Sequence, residues 1–151
     1  MTPYAITFSV PWVHGWQRAG VNFKTKDHYT RARTEADEQE IALRYKAACR
    51  EKYGVVLKAP QSVPVTLHIT ACSKRPKKWP KYLPESMKPR IPYVVKPDAD
   101  NIAKLMDGLN GVAWHDDAQV TKLVVTKRDR EDTRQDMTVF TVIWATEGDE
   151  C

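Results

Sequence analysis

The pattern that most restricts the fold is a strict alternation of apolar and polar residues in segment 63–71. The apolar positions are Val63, Val65, Leu67, Ile69 and Ala71. A period of two is the repeat of a β-strand with one buried face, so these side chains are expected to face the core. His68 falls on the opposite face and is expected to be an ordinary surface residue. The chain must therefore contain a sheet and a layer that covers it.

Three other segments also read as strands. Residues 6–10 alternate apolar and polar side chains and stop at a proline, and residues 119–127 and 137–144 are rich in β-branched and apolar side chains. Residues 128–135 form only a short charged turn. We therefore expect the last two strands to pair as a hairpin.

Two segments have helical periodicity. The first is capped at Thr30 or Thr34 and runs to about Tyr53. Its shared face carries Ile41, Tyr45, Ala48 and Cys49. The second begins near residues 98–101 and ends at residues 110–111. Its shared face carries Ile102, Leu105, Met106 and Leu109.

The order β-α-β-α-β-β predicts an α/β (α+β) fold with a small mixed four-stranded sheet and two helices. An apolar fraction of 42% is enough for one core of ordinary size, so residues 1–151 are expected to form a single domain.

Composition favours a cytoplasmic protein that does not enter a membrane. The first ten residues lack a basic and apolar signal pattern, and no apolar run approaches the roughly 20 residues needed to cross a bilayer. Cys49, Cys72 and Cys151 are odd in number and widely spaced, which suggests neither disulfides nor a zinc site. The formal charge of +5 favours polyanionic partners.

A basic, proline-rich loop is predicted at residues 73–95, which hold seven Lys or Arg residues and five prolines. Proline at that density prevents regular structure. We expect the loop to contact DNA through Lys74, Arg75, Lys77, Lys78, Trp79 and Lys81. The alternative is a solvated linker, because basic runs are common on protein surfaces.

Residues 12–30 have no periodicity and read as a second loop, in which aromatic and cationic residues are interleaved. Such a surface suits base stacking and phosphate neutralisation, with Arg18, Lys24 and Lys26 as the expected DNA-binding cations. The alternative is that the tryptophans only cap the core.

Acidic residues surround the second helix. Asp98 and Asp100 lie at its start, and Asp116 and Asp117 follow in the next turn. Clustered carboxylates repel one another unless a cation neutralises them, and Mg²⁺, or Mn²⁺ in its place, prefers such oxygen ligands. Two ions could support in-line hydrolysis of a phosphodiester.

Lys104 lies one helical turn from Asp100, on the face opposite the packed one, where it would stabilise charge on a phosphate. A plain surface ion pair between Lys104 and Asp100 explains the same spacing. An EF-hand starting at Asp98 is excluded, because its sixth and twelfth positions would be Ala103 and Leu109.

The acidic segment resembles a known family signature. Residues 96–104 read KPDADNIAK, residues 107–111 read DGLNG, and residues 114–120 read WHDDAQV. This run is similar to the signature of the RusA family of Holliday-junction resolvases, with Gly108 in place of the usual alanine. Weaker similarity extends to residues 6–11 and 121–127.

The resemblance implies that Asp98, Asp100 and Asp117 bind the metal, with Asp116 as a further candidate, and that Lys104 is an essential lysine. It also implies Mg²⁺-dependent, symmetric paired nicking of four-way DNA by a homodimer, and a bacterial host cell with phage or prophage origin. Two nicks related by a two-fold axis require two sites related by that axis. The loop at residues 73–95 is longer than in compact members of the family. The way in which this protein contacts the junction therefore stays open.

Two other functions remain open at this point. A non-catalytic protein that binds branched DNA would retain its function without the aspartates. A metal-dependent nuclease of the same fold could instead act on flaps, replication forks or RNA.

Overall fold

The computed structural model describes residues 3–16, 20–21, 28–29, 32–73, 96–129 and 135–145. The strands are β1 (Pro3–Val10), β2 (Gly20–Val21), β3 (His28–Tyr29), β4 (Val65–Ser73), β5 (Val120–Asp129) and β6 (Met137–Ala145). The helices are α1 (Ala32–Tyr53) and α2 (Ala99–Ala103), and α2 continues as a 3₁₀-helix over Lys104–Leu109. A 3₁₀ turn at Asp117–Gln119 precedes β5. The predicted order of strands and helices in a single small domain is confirmed.

The segment predicted as an irregular loop at residues 12–30 contains one additional feature. Strands β2 and β3 pair antiparallel as a small separate ribbon, with Gly20 opposite Tyr29 and Val21 opposite His28. Two residues per strand give too little apolar alternation to be recognised in the sequence.

The main sheet has the order β1-β6-β4-β5. Strand β6 is antiparallel to both β1 and β4, whereas β5 is parallel to β4. The predicted hairpin between the last two strands is therefore wrong, because β4 lies between them. The physical reason is burial: β6 carries Phe140 and Val142, both fully buried between two neighbouring strands, whereas the edge strand β5 leaves Leu123 39% exposed.

The alternation in β4 has the predicted orientation. Its odd-numbered residues from Val65 to Ala71 are completely buried. Strand β1 contributes Phe8, whose ring stacks on Phe140 at 4.9 Å between centroids. The core therefore lies on one face of the sheet.

Helix α1 covers that face with Ile41, Tyr45 and Cys49, all fully buried, as predicted. It begins at Ala32, so Thr34 lies inside its first turn, while Thr30 is outside the described residues. It ends at Tyr53, followed by Gly54 with φ +80, a conformation that glycine adopts without strain.

The second predicted helix is helical over its whole length but changes type at Lys104. Ile102, Leu105 and Leu109 are fully buried, which confirms the predicted packed face. The segment from α2 to the end of the 3₁₀-helix connects β4 to the parallel strand β5. It therefore runs antiparallel to both strands.

Two compositional predictions can be compared with the described residues. Cys49 and Cys72 are free thiols in the core, while Cys151 is outside the described part of the chain. No helix within the described residues has both the length and the apolar character needed to span a bilayer.

Candidate active site

Asp98 and Asp100, the first acidic pair, lie where the chain enters α2. Asp98 has the extended backbone of an N-cap residue, but its side chain does not cap the helix. Instead, Lys96 Nζ donates a hydrogen bond of 2.8 Å to Asp98 Oδ2. This bond lowers the pKa of Asp98, and the charge of Lys127 at the far end of β5 lowers it further. Both aspartates of the first acidic pair are exposed, and Lys96 partly neutralises Asp98.

Asp116 and Asp117, the second acidic pair, lie in the turn before β5. Asp116 Oδ1 accepts a hydrogen bond of 3.1 Å from the backbone N–H of Ala118, so Asp116 is the N-cap of the 3₁₀ turn. The side chain of Gln119 completes this capping box by accepting the backbone N–H of Asp116 at 3.1 Å.

Gln119 fixes the second acidic pair to the rest of the fold. Its Oε1 also accepts the backbone N–H of His115 at 2.8 Å. Its Nε2 donates to the carbonyl oxygens of Pro60 and Val63 at 2.9 and 3.1 Å. The sequence patterns described above give Gln119 no role. The capping-box spacing from Asp116 to Gln119 is the signal that would have identified it.

The two carboxyl groups of the second acidic pair interact directly. A hydrogen bond to the Asp116 side chain raises the pKa of Asp117, and the charges of Asp116 and Asp107 raise it further. The pKa of Asp116 is lowered, first by the N–H of Ala118 and then by Asp117. The neighbouring Asp116 carboxyl group therefore disfavours the ionisation of Asp117, and a nearby cation would relieve this repulsion.

The two acidic pairs lie at opposite ends of the same helical segment. Lys127, near the end of β5, is close enough to lower the pKa of Asp98. Asp107, near the end of the 3₁₀-helix, is close enough to raise the pKa of Asp117. With a rise of about 1.5 Å per α-helical and about 2 Å per 3₁₀ residue, residues 98 and 109 are roughly 20 Å apart. Within the described ranges, no three His, Cys, Asp or Glu side chains form a group that could hold a metal ion. A single chain thus does not bring Asp98, Asp100 and Asp117 together.

Lys104 lies between the two pairs and is exposed, as predicted. Its ammonium group lies over the ring of Trp16, with Nζ 5.1 Å from the ring centroid. The backbone N–H of Trp16 also donates to the carbonyl oxygen of Asn101 at 2.8 Å. Trp16 therefore belongs to the site through both its ring and its backbone.

The segment that carries Trp16 is anchored to α1. His14 Nδ1 pairs with the nearly buried Asp37 at 2.9 Å, and the His14 ring stacks on Trp12 at 4.4 Å between centroids. Burial raises the pKa of Asp37, although His14 opposes that shift. Trp12 Nε1 in turn donates to Glu40 Oε1 at 3.1 Å. These contacts hold residues 12–16 in place beside α2.

The predicted DNA-binding residues lie outside the described residues. They are Arg18, Lys24, Lys26, Lys74, Arg75, Lys77, Lys78, Trp79 and Lys81. Their role remains a prediction. Lys96 is a described cation that follows the basic loop directly in sequence and donates a hydrogen bond to Asp98 of the first acidic pair.

Comparison with known families shows a match over the residues of this site. A family model described as Endodeoxyribonuclease RusA matches residues 12–139, which include the Trp16 segment, both acidic pairs and Lys104. No individual curated protein matches the chain significantly. The family match covers most of the 151 residues. The chain therefore belongs to the RusA family of endodeoxyribonucleases, hydrolases that act on DNA junctions.

Proposed function

We propose that this endodeoxyribonuclease resolves four-way Holliday junctions by symmetric paired nicks, as a homodimer that requires Mg²⁺ or, in its place, Mn²⁺. One observation carries the proposal. Within the region that matches the family, one acidic pair lies at the start of a helical segment, an exposed lysine lies within it, and a second acidic pair lies in the turn that follows. Recombination and repair of DNA are the processes that require such an activity.

The donor atoms of the two pairs fit a hard cation. Asp98, Asp100, Asp116 and Asp117 offer carboxylate oxygens, which suits Mg²⁺ or Mn²⁺. The charge of Asp116 raises the pKa of Asp117, so a cation bound between them would relieve charge repulsion. When bound, the metal would lower the pKa of a water molecule and neutralise charge on the phosphate.

The lysines of the site would act on the phosphate. Lys104 is held over Trp16 at the exposed face of the helix, where its ammonium can bind a non-bridging phosphate oxygen. Lys96 neutralises Asp98 through its 2.8 Å hydrogen bond. It would turn toward the DNA backbone when a metal takes over that carboxylate.

The separation of the two acidic pairs supports a homodimer. A two-fold axis across the helical segment would bring the first acidic pair of each chain to the second acidic pair of the other, and so form two equal sites. Strand β5, which starts beside the second acidic pair, is an edge strand of the main sheet. An exposed edge of this kind is suited to pairing with a second copy.

The direct test is cleavage of a labelled four-way junction in Mg²⁺, Mn²⁺, Ca²⁺ or EDTA, with fork, flap and RNA substrates as comparisons. We expect paired nicks at symmetric positions in Mg²⁺ or Mn²⁺. Asp100→Asn should abolish cutting but retain or strengthen binding, because it removes a negative charge. Cutting in EDTA would contradict the metal requirement, and equal cutting of forks, flaps or RNA would contradict the substrate assignment.

Mixing two inactive variants tests the shared sites. In a mixed dimer of Asp100→Asn and Asp117→Asn chains, shared sites leave one site with all its wild-type carboxylates. We therefore expect the mixture to recover single-strand nicking after co-refolding. Sites formed within one chain would leave both defective, and the mixture would remain inactive.

A further inference from the structure

A cleft beside the first acidic pair has no role in the function described so far. It has a volume of about 300 Å³ and lies between residues 13–16, the start of α1 and the entry to α2. Its polar and aromatic lining consists of His14, Trp16, Arg33, Lys96 and Asn101. Lys96 and Asn101 flank the first acidic pair in sequence, so the cleft opens next to the predicted cutting site.

The walls of the cleft are in close contact at Gly15. A Cβ atom at Gly15 would stand 2.7 Å from Pro97 Cβ and 3.2 Å from Asn101 Cβ. Arg33 Nη2 donates to the carbonyl oxygen of Gly15 at 3.1 Å, which joins α1 to the same wall. The cleft is therefore formed by packed backbone segments and does not depend on a long side chain swinging into place.

The lining offers cations and no carboxylate among the described residues. Arg33 and Lys96 are basic, and an arginine has five N–H donors, of which the bond to Gly15 uses one. The cations of the cleft attract negative charge, whereas the two aspartates beside it repel negative charge. The cleft therefore favours a ligand that is negatively charged on one part only.

The same cleft offers a flat ring and an amide. Trp16 is fixed by its backbone bond to Asn101 and by Lys104 over its ring, while Lys104 is not among the residues that line the cleft. The side-chain amide of Asn101 has no hydrogen-bond partner within the described residues. An aromatic ring stacks on any base, and an asparagine amide can pair with the edge of one.

We propose that this cleft binds one unstacked nucleotide of the DNA next to the scissile phosphate, and that Asn101 reads its base. The volume is at the small end of ligand pockets, which span about 300–1,000 Å³, and so suits a single nucleotide better than a duplex. Unstacking a base near a branch point costs little free energy, because its stacking is already interrupted. The inference rests on the proposed function and adds sequence selectivity to it.

The test is a cycle that combines a protein change with a DNA change. Junctions that carry an abasic site at each of the three nucleotides on either side of the nick are cut by the parent protein and by Asn101→Ala. At one position, we expect base removal to slow cutting by the parent on the order of tenfold. The same base removal should slow Asn101→Ala much less, because that variant already lacks the contact between residue 101 and the base. Asn101→Ala should also reduce the differences among junctions of different flanking sequence.

Two further variants control the result. Gln39→Ala removes an exposed amide from α1, outside the cleft, and should retain the full effect of base removal. Arg33→Gln should weaken junction binding more than Arg50→Gln, which lies at the other end of α1. Thermal melting of each variant confirms folding.

The outcome separates this inference from the function on which it rests. The inference is overturned if the parent cuts junctions but base removal slows the parent and Asn101→Ala by the same factor at every position. The cleft then does not hold a base. If the parent neither binds nor cuts junctions, the proposed function itself fails.

Discussion

At the scale of single residues, Trp16 and Lys104 show how a loop residue can orient a helical one. The ammonium group lies over the ring at 5.1 Å, so the position of the lysine depends on an aromatic side chain from a distant part of the sequence. A cation above a ring is stabilised most by tryptophan and less by phenylalanine.

We therefore expect the cutting rate to fall in the order Trp16, Trp16→Phe, Trp16→Leu. The total loss should be about two- to fivefold, since a cation–π contact with an exposed lysine contributes about 0.5–1 kcal/mol. The measurement is single-turnover cleavage with protein in excess, so that DNA binding does not limit the rate. Equal rates for the phenylalanine and leucine variants would show that the ring does not position Lys104.

Gly108 differs from the alanine usual in the resembling family, and the packing of α1 explains it. A Cβ atom at Gly108 would stand 3.0 Å from both the Cα and the carbonyl oxygen of Glu38. These are backbone atoms of a long helix, so they cannot move aside cheaply. Glycine here lets the 3₁₀-helix and α1 approach closely.

Gly108→Ala is expected to destabilise the protein by about 1 kcal/mol. Alanine gains helix propensity, but overpacking against a backbone costs typically 1–3 kcal/mol. Urea denaturation measures the difference, with Ala47→Gly on the exposed face of α1 as a control that changes propensity alone. A stabilised Gly108→Ala protein would mean that α1 shifts without cost.

Glu38 predicts a pH dependence of stability. Burial raises its pKa above the ordinary 4.5, and the charges of Asp107, Glu35 and Asp37 raise it further. A raised carboxyl pKa favours the folded state below the unfolded value, and that contribution is lost as the pH rises through the folded pKa. The ionised Glu38 therefore destabilises the protein at neutral pH.

Glu38→Gln should accordingly raise the melting temperature at pH 7 and lose that advantage as the pH falls below about 4.5. Thermal melts from pH 4 to pH 8 measure the effect, with the exposed Glu51→Gln as the control. A difference that does not change with pH would contradict the electrostatic explanation.

At the scale of elements, the turn before β5 is the clearest case of a side chain that determines a site. Gln119 is 91% buried and joins the second acidic pair to residues 60–63 through both ends of its amide. The position of Asp117 thus depends on a residue that need not touch metal or DNA.

Gln119→Met keeps the volume of the side chain but removes these hydrogen bonds. We expect a loss of about 2 kcal/mol in the free energy of unfolding, because buried backbone groups are left unpaired. Junction cutting should fall further than the stability loss explains, since the turn loses its orientation. The measurements are urea denaturation and cleavage at a temperature where the variant remains folded. Unchanged cutting would show that the cap formed by the Asp116 side chain holds the turn without Gln119.

Periodicity predicted the strands and helices well because it depends on local burial. The buried stripe of α1 and the alternation of β4 follow directly from side chains that recur at 3.6 and 2 residues. The pairing of β5 and β6 could not be predicted in the same way. Short connections favour hairpins, but the buried Phe140 and Val142 give β6 its place between β1 and β4.

At the scale of the whole molecule, the basic loop predicted at residues 73–95 leads from β4 to Lys96 and the first acidic pair. Phosphate contacts release counterions, so each one steepens the dependence of binding on salt. The loop is therefore expected to contribute much of the affinity for DNA.

Neutralising Lys77, Lys78 and Lys81 together should weaken junction binding and reduce the slope of log K against log salt by about two to three. Binding is measured in EDTA at several salt concentrations. The control neutralises Lys46, Arg50 and Lys58, which lie in the second half of α1 and shortly after it. It changes the net charge by the same amount. An unchanged slope in the loop variant would remove the loop from the DNA footprint.

The sequence by itself predicted the four strands of the main sheet, the two helices and their buried faces, because these depend on local spacing. It also placed the acidic residues and Lys104 in one short motif. Only the tertiary structure decided the strand order, the separation of the two acidic pairs and the cleft between residues 13–16 and 96–101. These depend on contacts between residues far apart in the chain, such as Gly15 with Pro97 and Gln119 with Pro60. Local periodicity carries no information about which distant segments will pack together.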